Sequence, residues 1–237
     1  MIVYRTGCLI CGQDLQYFEP AKILRCEICQ GEFESGAACL DNHFVCDTCH
    51  SKAGYDGITR HARETGSREP IAVAREMMEN PFINMHGPEH HYLVVAALLA
   101  AYKNAGGHVD LEKALSLARQ RAQKVPGGIC GLWGSCGAGI GAGIFVSIIT
   151  AATPLSVDEW KLANKATSQC LDVISQHGGP RCCKRDTFLA ILTVTEFVRE
   201  KTGVEMEKPE TVRCTFFGNN PSCKKGACTF YSLNGSD

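Results

Sequence analysis

Cysteine pairs with the spacing of metal ligands dominate residues 1–52. Three Cys-x2-Cys pairs and one Cys-x3-His pair occur there, namely Cys8/Cys11, Cys26/Cys29, Cys46/Cys49 and Cys39/His43. Two sulfurs three residues apart on a tight turn can reach one tetrahedral zinc ion at about 2.3 Å each. Four such pairs complete two closed zinc sites. The spacing predicts two structural zinc ions that let residues 8–49 fold without a large apolar core.

The run from Cys26 to Cys49, which ends in NHFVCDTCH, resembles the first part of a RING finger. That resemblance implies one site formed by Cys26, Cys29, Cys46 and Cys49. A second site with Cys39 and His43 then needs two more ligands. A RING finger takes them from downstream residues, whereas this chain has Cys8 and Cys11 upstream. We therefore expect a cross-braced, treble-clef-like module with permuted ligand order and no ubiquitin-ligase activity. A sequential pairing, in which Cys8 and Cys11 join Cys26 and Cys29, is the alternative, and His50 is expected to be a surface histidine.

Histidines cluster just before an apolar stretch. His86, His90 and His91 precede the run YLVVAALLAAY, which is apolar nearly all round a helix. Such histidines can ligate a metal or transfer protons, and capping of the helix end is the alternative.

A glycine-rich run encloses two more cysteines, Cys130 and Cys136, in GGICGLWGSCGAG. Glycine lets the backbone pass close to a ligand and exposes its amides. A helix that starts after Cys136 would favour the thiolate through its dipole. The alternative is that both thiols are buried as small hydrophobes.

Adjacent cysteines, Cys182 and Cys183, follow a Gly-Gly-Pro helix boundary and stand among Arg181, Lys184 and Arg185. The helix start and the cations predict lowered thiol pKa values, and the cations are candidates to hold a thiolate or an anionic substrate. We expect Cys130, Cys136, Cys182 and Cys183 to converge on one pocket near His86–His91.

Three cysteines in the tail, Cys214, Cys223 and Cys228, lie among turn-forming residues. They predict a third metal site, either zinc or an iron–sulfur cluster, with a fourth ligand from elsewhere.

The elements that must position these groups are mainly helical. We expect a zinc module with short β-hairpins at 1–52, a linker at 53–69, an α-helical domain at 70–204 and a tail at 205–237. Predicted helices run from Pro70 to about 80, over 90–104, from an Asp110 cap to about 123, from a capping box at Ser156 to 176, and from Pro180 to about 203. Residues 137–155 are interpreted as a buried helix, with a membrane span as the alternative.

Composition narrows the function class. A formal net charge of -1 argues against general nucleic-acid binding, which needs a basic face. Fifteen cysteines, an odd number, without a secretory signal at the N-terminus predict a reducing, cytoplasmic setting without a disulfide scaffold. No membrane association is expected, and the oligomeric state stays open.

The segments HGPEHHYLVVAALLAAY, GGICGLWGSCGAGIGAGIFVSI and GGPRCCKRDTFLAI together resemble an uncharacterised, cysteine-rich family of anaerobic archaea and bacteria. Its members are often fused to or encoded near methyltransferase-like proteins, and the resemblance implies no particular reaction. Two hypotheses follow. The first is a metalloprotein with a Cys/His-lined centre that performs redox or sulfur-transfer chemistry. The second is a non-enzymatic zinc-dependent adaptor that binds a partner protein, such as a methyltransferase, or nucleic acid.

Overall fold

The computed structural model describes residues 7–232. It is mostly helical, with one two-stranded antiparallel hairpin before the helices. The predicted fold class is therefore confirmed. In chain order the elements are β1 (Leu15–Arg25), β2 (Glu32–Cys39), α1 (Asp47–Glu64), α2 (Pro70–Met78), α3 (Glu89–Asn104), α4 (Leu111–Ala122), α5 (Ile129–Leu132), α6 (Gly137–Ile149), α7 (Asp158–His177) and α8 (Cys183–Thr202), followed by two short 3-10 turns in the tail.

The hairpin carries cysteines at its turn and at its end. Its register pairs Leu15 with Cys39 at the open end and Arg25 with Glu32 beside the turn. Cys26 and Cys29 lie in this turn, which Gln30 closes with a left-handed backbone at φ 61°. The hairpin therefore positions three of the predicted ligands.

Helix α3 is the centre of the fold. It has no exposed residue from Glu89 to Tyr102, and from Tyr92 onward its sequence is apolar on every side. Helices α1, α2, α4, α6 and α8 all pack against it, and α7 covers α6 and α8. Every residue from Tyr92 to Tyr102 belongs to the apolar core.

Helix α1 occupies most of the segment that the sequence analysis assigns to a linker. Its polar residues and its two glycines weaken the sequence signal, since glycine lowers helix propensity by about 1 kcal/mol. Tertiary packing compensates, because Tyr55, Ile58 and Ala62 are buried. Gly54 also allows close approach to the Phe82 carbonyl.

Predicted helix starts are accurate where a cap is present. The Asp110 carboxylate accepts the Lys113 amide at 3.2 Å, as expected for an N-cap. The Ser156 capping box is absent, because its hydroxyl instead accepts the Thr153 amide at 2.9 Å. Helix α8 begins at Cys183 rather than at Pro180, which makes Cys182 its extended N-cap residue.

Helix α6 is short and glycine-rich, with thirteen residues that pack on α3, α4, α7 and α8. None of the helices between residues 7 and 232 combines the length and the apolar character that a membrane span needs.

We predict that Gly141→Ala destabilises the protein by about 1–2 kcal/mol. A Cβ at Gly141 would lie 2.8 Å from the His91 carbonyl oxygen and 3.2 Å from Val94, so α3 and α6 would have to separate. Urea denaturation should show the loss as a lower midpoint. Gly66→Ala is the control, because a Cβ there has no neighbour within 4 Å. Equal midpoints for both variants would contradict the close packing of α3 on α6.

Candidate functional site

Eight N-terminal ligands form two compact groups. One group is Cys8, Cys11, Cys39 and His43, and the other is Cys26, Cys29, Cys46 and Cys49. Within each group all four ligand atoms lie within 4.8 Å of one another, so each could hold a metal ion. These groups match the cross-braced pairing rather than the sequential one.

Separations within the groups match those of a tetrahedral ion. Two sulfurs bound at about 2.3 Å to one zinc ion stand about 3.8 Å apart. The Cys11–Cys39 and Cys29–Cys46 sulfur pairs are each separated by 3.8 Å. The His43 Nδ1 atom lies 3.3 Å from the Cys11 sulfur, which identifies Nδ1 as the ligand atom.

Backbone amides point at several of these sulfurs. The Ile10 amide donates to Cys8 Sγ at 3.4 Å, the His43 amide to Cys39 Sγ at 3.2 Å, and the Cys46 amide to Cys26 Sγ at 3.3 Å. Burial alone would raise the pKa of Cys26, but amide hydrogen bonds from its neighbours lower this pKa to about 6. The backbone is therefore arranged to stabilise negative sulfur, as a metal site requires.

A cavity of about 670 Å³ lies between the N-terminal module and the starts of α3, α6 and α8. A second cavity of about 500 Å³ adjoins it. Cys130, Cys136, Arg181 and Asp186 line both cavities. These four side chains therefore mark the wall that the cavities share.

Asp186 connects a thiol to a cation at this wall. The Cys136 sulfur lies 3.8 Å from Asp186 Oδ2 and donates to it. The Arg185 Nε–H donates to the other carboxylate oxygen at 2.8 Å. Burial raises the pKa of Asp186, while Arg185 opposes this rise. Asp186 was not among the predicted site residues, although GGPRCCKRD shows an acid in the first turn of a basic helix.

The Cys136 and Cys183 thiols are protonated at neutral pH. Burial raises the pKa of Cys136 to about 12, and the Asp186 charge adds to the rise. Burial likewise raises the pKa of Cys183 to about 12. Cys136 is the N-cap residue of α6, as predicted, but burial outweighs the helix dipole. The expectation of resting thiolates at these helix starts is therefore wrong.

Three of the four expected cysteines share the large cavity, namely Cys130, Cys136 and Cys183. Cys182 does not line it. Its sulfur instead accepts the Asn220 side-chain amide at 3.8 Å, on the side of the tail. The two adjacent cysteines therefore face different surroundings.

All three predicted histidines line the large cavity. Burial lowers the pKa of each, to about 4 for His86, so they are neutral at pH 7. His90 donates from Nδ1 to the Gly87 carbonyl at 3.1 Å, and His91 donates from Nδ1 to the Val125 carbonyl at 3.1 Å. Among the described residues, the buried Nε2 atom of His90 has no hydrogen-bond partner.

Glu89 and His50 are polar groups that the sequence analysis did not place at the site. Glu89 is completely buried, and its Oε1 accepts the Asn84 amide at 2.9 Å. Its Oε2 lies 3.9 Å from His50 Nδ1. His50 lines the large cavity and is only partly exposed, unlike the surface histidine expected.

Of the three predicted cations, Arg181 is exposed at the shared wall. Arg185 is engaged with Asp186. Lys184 is buried, and its Nζ lies 5.0 Å from the centre of the Phe216 ring. Only Arg181 is therefore placed to meet an anion inside the large cavity.

A family model matches residues 58–231, well over half of the chain, and is described as a family of unknown function, DUF5714. The chain belongs to this family. The match confirms the expected membership of an uncharacterised family and includes every candidate residue of the helical part. No curated protein and no solved structure matches the chain.

We predict that Cys26→Ser lowers the bound metal by one ion per chain. The variant removes one of four ligands from a group whose geometry depends on all of them. Elemental analysis of the purified protein should show the loss. Cys170→Ser is the matched control, because Cys170 is buried in α7 and its thiol donates to the Ala190 carbonyl at 3.6 Å. Equal metal contents in both variants would contradict the assignment.

Proposed function

We propose that this protein is a thiol-dependent oxidoreductase, stabilised by two zinc ions, that reduces a small disulfide substrate in the large cavity. The observation that carries the proposal is the shared wall. Two thiols, a carboxylate that accepts from one of them and an exposed cation meet there. A nucleophile that contacts a base, with the base oriented by a third group, is the general arrangement of activated nucleophiles.

Hydrogen bonding assigns the roles of the two thiols, because both line the two cavities and are half-buried. Cys136 is the resolving thiol, because its proton has an acceptor in Asp186 and burial raises its pKa to about 12. Cys130, in the four-residue helix α5, is therefore the attacking thiol. Gly131 and Gly134 between the two cysteines have no atom near a Cβ position, which gives this connection room to close a disulfide.

The reaction is a balanced thiol–disulfide exchange. Cys130 attacks the substrate disulfide, and its proton leaves with the first substrate thiol. Cys136 then gives its proton to Asp186 and attacks the Cys130 sulfur of the mixed disulfide. The second substrate thiolate leaves and takes the proton from Asp186. The substrate gains two electrons and two protons, and the chain gains one Cys130–Cys136 disulfide.

The cavity favours a substrate that carries an anionic group. Arg181 can bind a carboxylate, and the neutral His90 has an unpartnered Nε2 that can accept a hydrogen bond from a ligand. A volume of about 670 Å³ is within the range of small-molecule sites. We accordingly infer a small carboxylated disulfide as the substrate class.

The two N-terminal groups are proposed to hold structural zinc in a treble-clef-like module. Closed sites with four protein ligands leave no position for substrate, so they support the fold rather than the reaction. They would hold the hairpin and the first turn of α1 against the mouth of the cavity.

The proposal is tested with reduced protein and 3,3′-dithiodipropionate as the probe. We expect about two substrate thiols released per chain and a Cys130–Cys136 disulfide in non-reducing peptide maps. Cys136→Ser should stop at a mixed disulfide on Cys130 with about one thiol released, and Cys130→Ser should release none. Cys183→Ser is the control and should release two. Undiminished release by Cys130→Ser would overturn the proposal.

We predict that Asp186→Asn accelerates alkylation of Cys136 by iodoacetamide. The Asp186 charge contributes to the high pKa of Cys136, so removing it lowers this pKa and increases the thiolate fraction at a given pH. The rate for Cys136 should rise about tenfold per pH unit between about pH 8 and 10, with the variant curve displaced to lower pH. Timed mass spectrometry of the Cys136 peptide measures it.

Asp172→Asn is the matched control for this experiment. Asp172 is exposed on α7, accepts the Gln176 side-chain amide at 3.0 Å and lines neither cavity. Coincident curves for the two variants would show that the Asp186 charge does not act on Cys136.

A second candidate function is the adaptor, which the surface of the hairpin supports. Several large apolar side chains are exposed there, including Tyr17 at 57%, Ile23 at 67% and Leu40 at 58%. Such residues mark protein interaction surfaces when they are contiguous. The disulfide probe separates the candidates, because an adaptor would give no release that depends on Cys130.

A further inference from the structure

The tail folds over the start of α8 and is anchored there by several contacts. The Phe230 ring packs edge-on against Phe188 with centroids 5.7 Å apart. The Lys224 ammonium donates to the His177 carbonyl at 2.6 Å. The Cys214 amide donates to the Phe230 carbonyl at 2.8 Å, which closes the tail into a loop. The three tail cysteines therefore lie in a folded loop.

The sulfurs of this loop receive the same amide hydrogen bonds as a ligand in the N-terminal module. The Phe216 amide donates to Cys214 Sγ at 3.4 Å, and the Lys225 amide donates to Cys223 Sγ at 3.3 Å. In both cases the donor is two residues after the cysteine, as at Ile10 and Cys8. Turns that direct an amide at the sulfur two residues earlier stabilise thiolate ligands.

Cys182 is the fourth thiol at this loop. Its sulfur accepts the Asn220 side-chain amide, and Asn220 lies between Cys214 and Cys223. The Asn220 carbonyl accepts the Cys223 amide at 3.0 Å, so one residue contacts both parts of the site. Burial raises the pKa values of the Cys182 and Cys214 thiols, and charge on the neighbouring tail cysteines adds to the rise: Cys214 acts on Cys182, and Cys228 and Cys223 act on Cys214.

The spacing of the four sulfurs differs from that of a single-ion site. In the described chain, only the two N-terminal groups bring three or more ligand atoms within 4.8 Å of one another. A single zinc ion needs sulfurs about 3.8 Å apart. An iron–sulfur cluster places several iron and sulfide ions between its cysteine ligands, so the ligand sulfurs can stand farther apart than around a single ion.

The surroundings suit a negatively charged cluster. Lys184 is buried close by, against the ring of Phe216, and Arg185 donates to the Pro180 carbonyl at 3.4 Å on the same turn of α8. Buried cations offset the charge of four thiolates and a cluster. Cys182, Cys214 and Cys228 are half-buried against the apolar core, which covers one side of the site.

We propose that Cys182, Cys214, Cys223 and Cys228 ligate an iron–sulfur cluster at the start of α8. This site is separate from the thiol cavity and does not depend on the disulfide reaction proposed for it. It supplies the fourth ligand that the tail lacks in sequence, and it explains why two adjacent cysteines face opposite ways.

The test uses the full chain, purified anaerobically and reconstituted with ferrous iron and sulfide. Iron, acid-labile sulfide and visible absorbance are measured for the wild type, Cys182→Ser and the matched neighbour Cys183→Ser. We expect Cys182→Ser to bind at least about fivefold less iron and sulfide, because one cluster ligand is lost. Cys183→Ser should match the wild type. Zinc content should stay at two ions in all three.

Cys223→Ser provides a second variant in case Cys182→Ser fails to fold, because Cys223 does not belong to the core packing that includes Cys214 and Cys228. It should lose iron while its far-ultraviolet circular dichroism stays unchanged. No iron in the wild type, equal iron in Cys182→Ser and Cys183→Ser, or a third zinc ion in place of iron would each overturn the proposal. None of these outcomes bears on thiol release by Cys130 and Cys136.

Discussion

The complete burial of α3 is the constraint from which the rest of the structure follows. Its apolar sequence leaves no face for solvent, so five helices must surround it. The same helix begins with three polar residues, Glu89, His90 and His91, which are buried together with its apolar part. Two of their buried polar atoms, Glu89 Oε2 and His90 Nε2, have no hydrogen-bond partner among the described residues, and His90 and His91 line the large cavity. The polar site is a consequence of how the core is built.

The start of α8 places two adjacent cysteines in different surroundings. Cys182 has an extended backbone as the N-cap residue, and Cys183 is the first helical residue. Successive side chains point in different directions when the backbone changes from extended to helical, so one sulfur faces the tail and the other the cavity. Asp186 follows one turn later and reaches the Cys136 sulfur. A single helix N-terminus thus contributes to both proposed centres.

Local signals in the sequence predicted well, whereas signals that depend on tertiary packing did not. The spacing of the ligands within each pair is a local property. The cross-braced grouping predicted from it, which places Cys8 with Cys39, matches the structure. The apolar run of α3 and the Asp110 cap are likewise local. Thiol ionisation was predicted wrongly, because burial is set by distant residues and outweighs a helix dipole. The separation of Cys182 from Cys183 also depended on where the tail folds.

Groups missed by the sequence analysis share one property, which is that their partners are distant in sequence. Asp186 contacts Cys136, fifty residues earlier, and His50 approaches Glu89 across the interface with the module. No spacing rule connects such residues. Helix α1 was missed for a related reason. Its apolar positions, Tyr55, Ile58 and Ala62, are sparse, and the need for its glycines becomes clear only from the residues that pack against them in the fold.

Helix α1 also has a consequence for how the chain can be divided. It begins directly after the ligand Cys46, carries Cys49 in its first turn, and buries Tyr55 and Ile58 in the helical core. The Asp47 carboxylate at its start accepts the Gly127 amide at 2.8 Å, beside the glycine-rich run. The family match starts at residue 58, in the middle of this helix. A fragment that begins at residue 58 would contain only the second half of α1. It would lack both metal groups, and the large cavity would lose the wall that the N-terminal module provides.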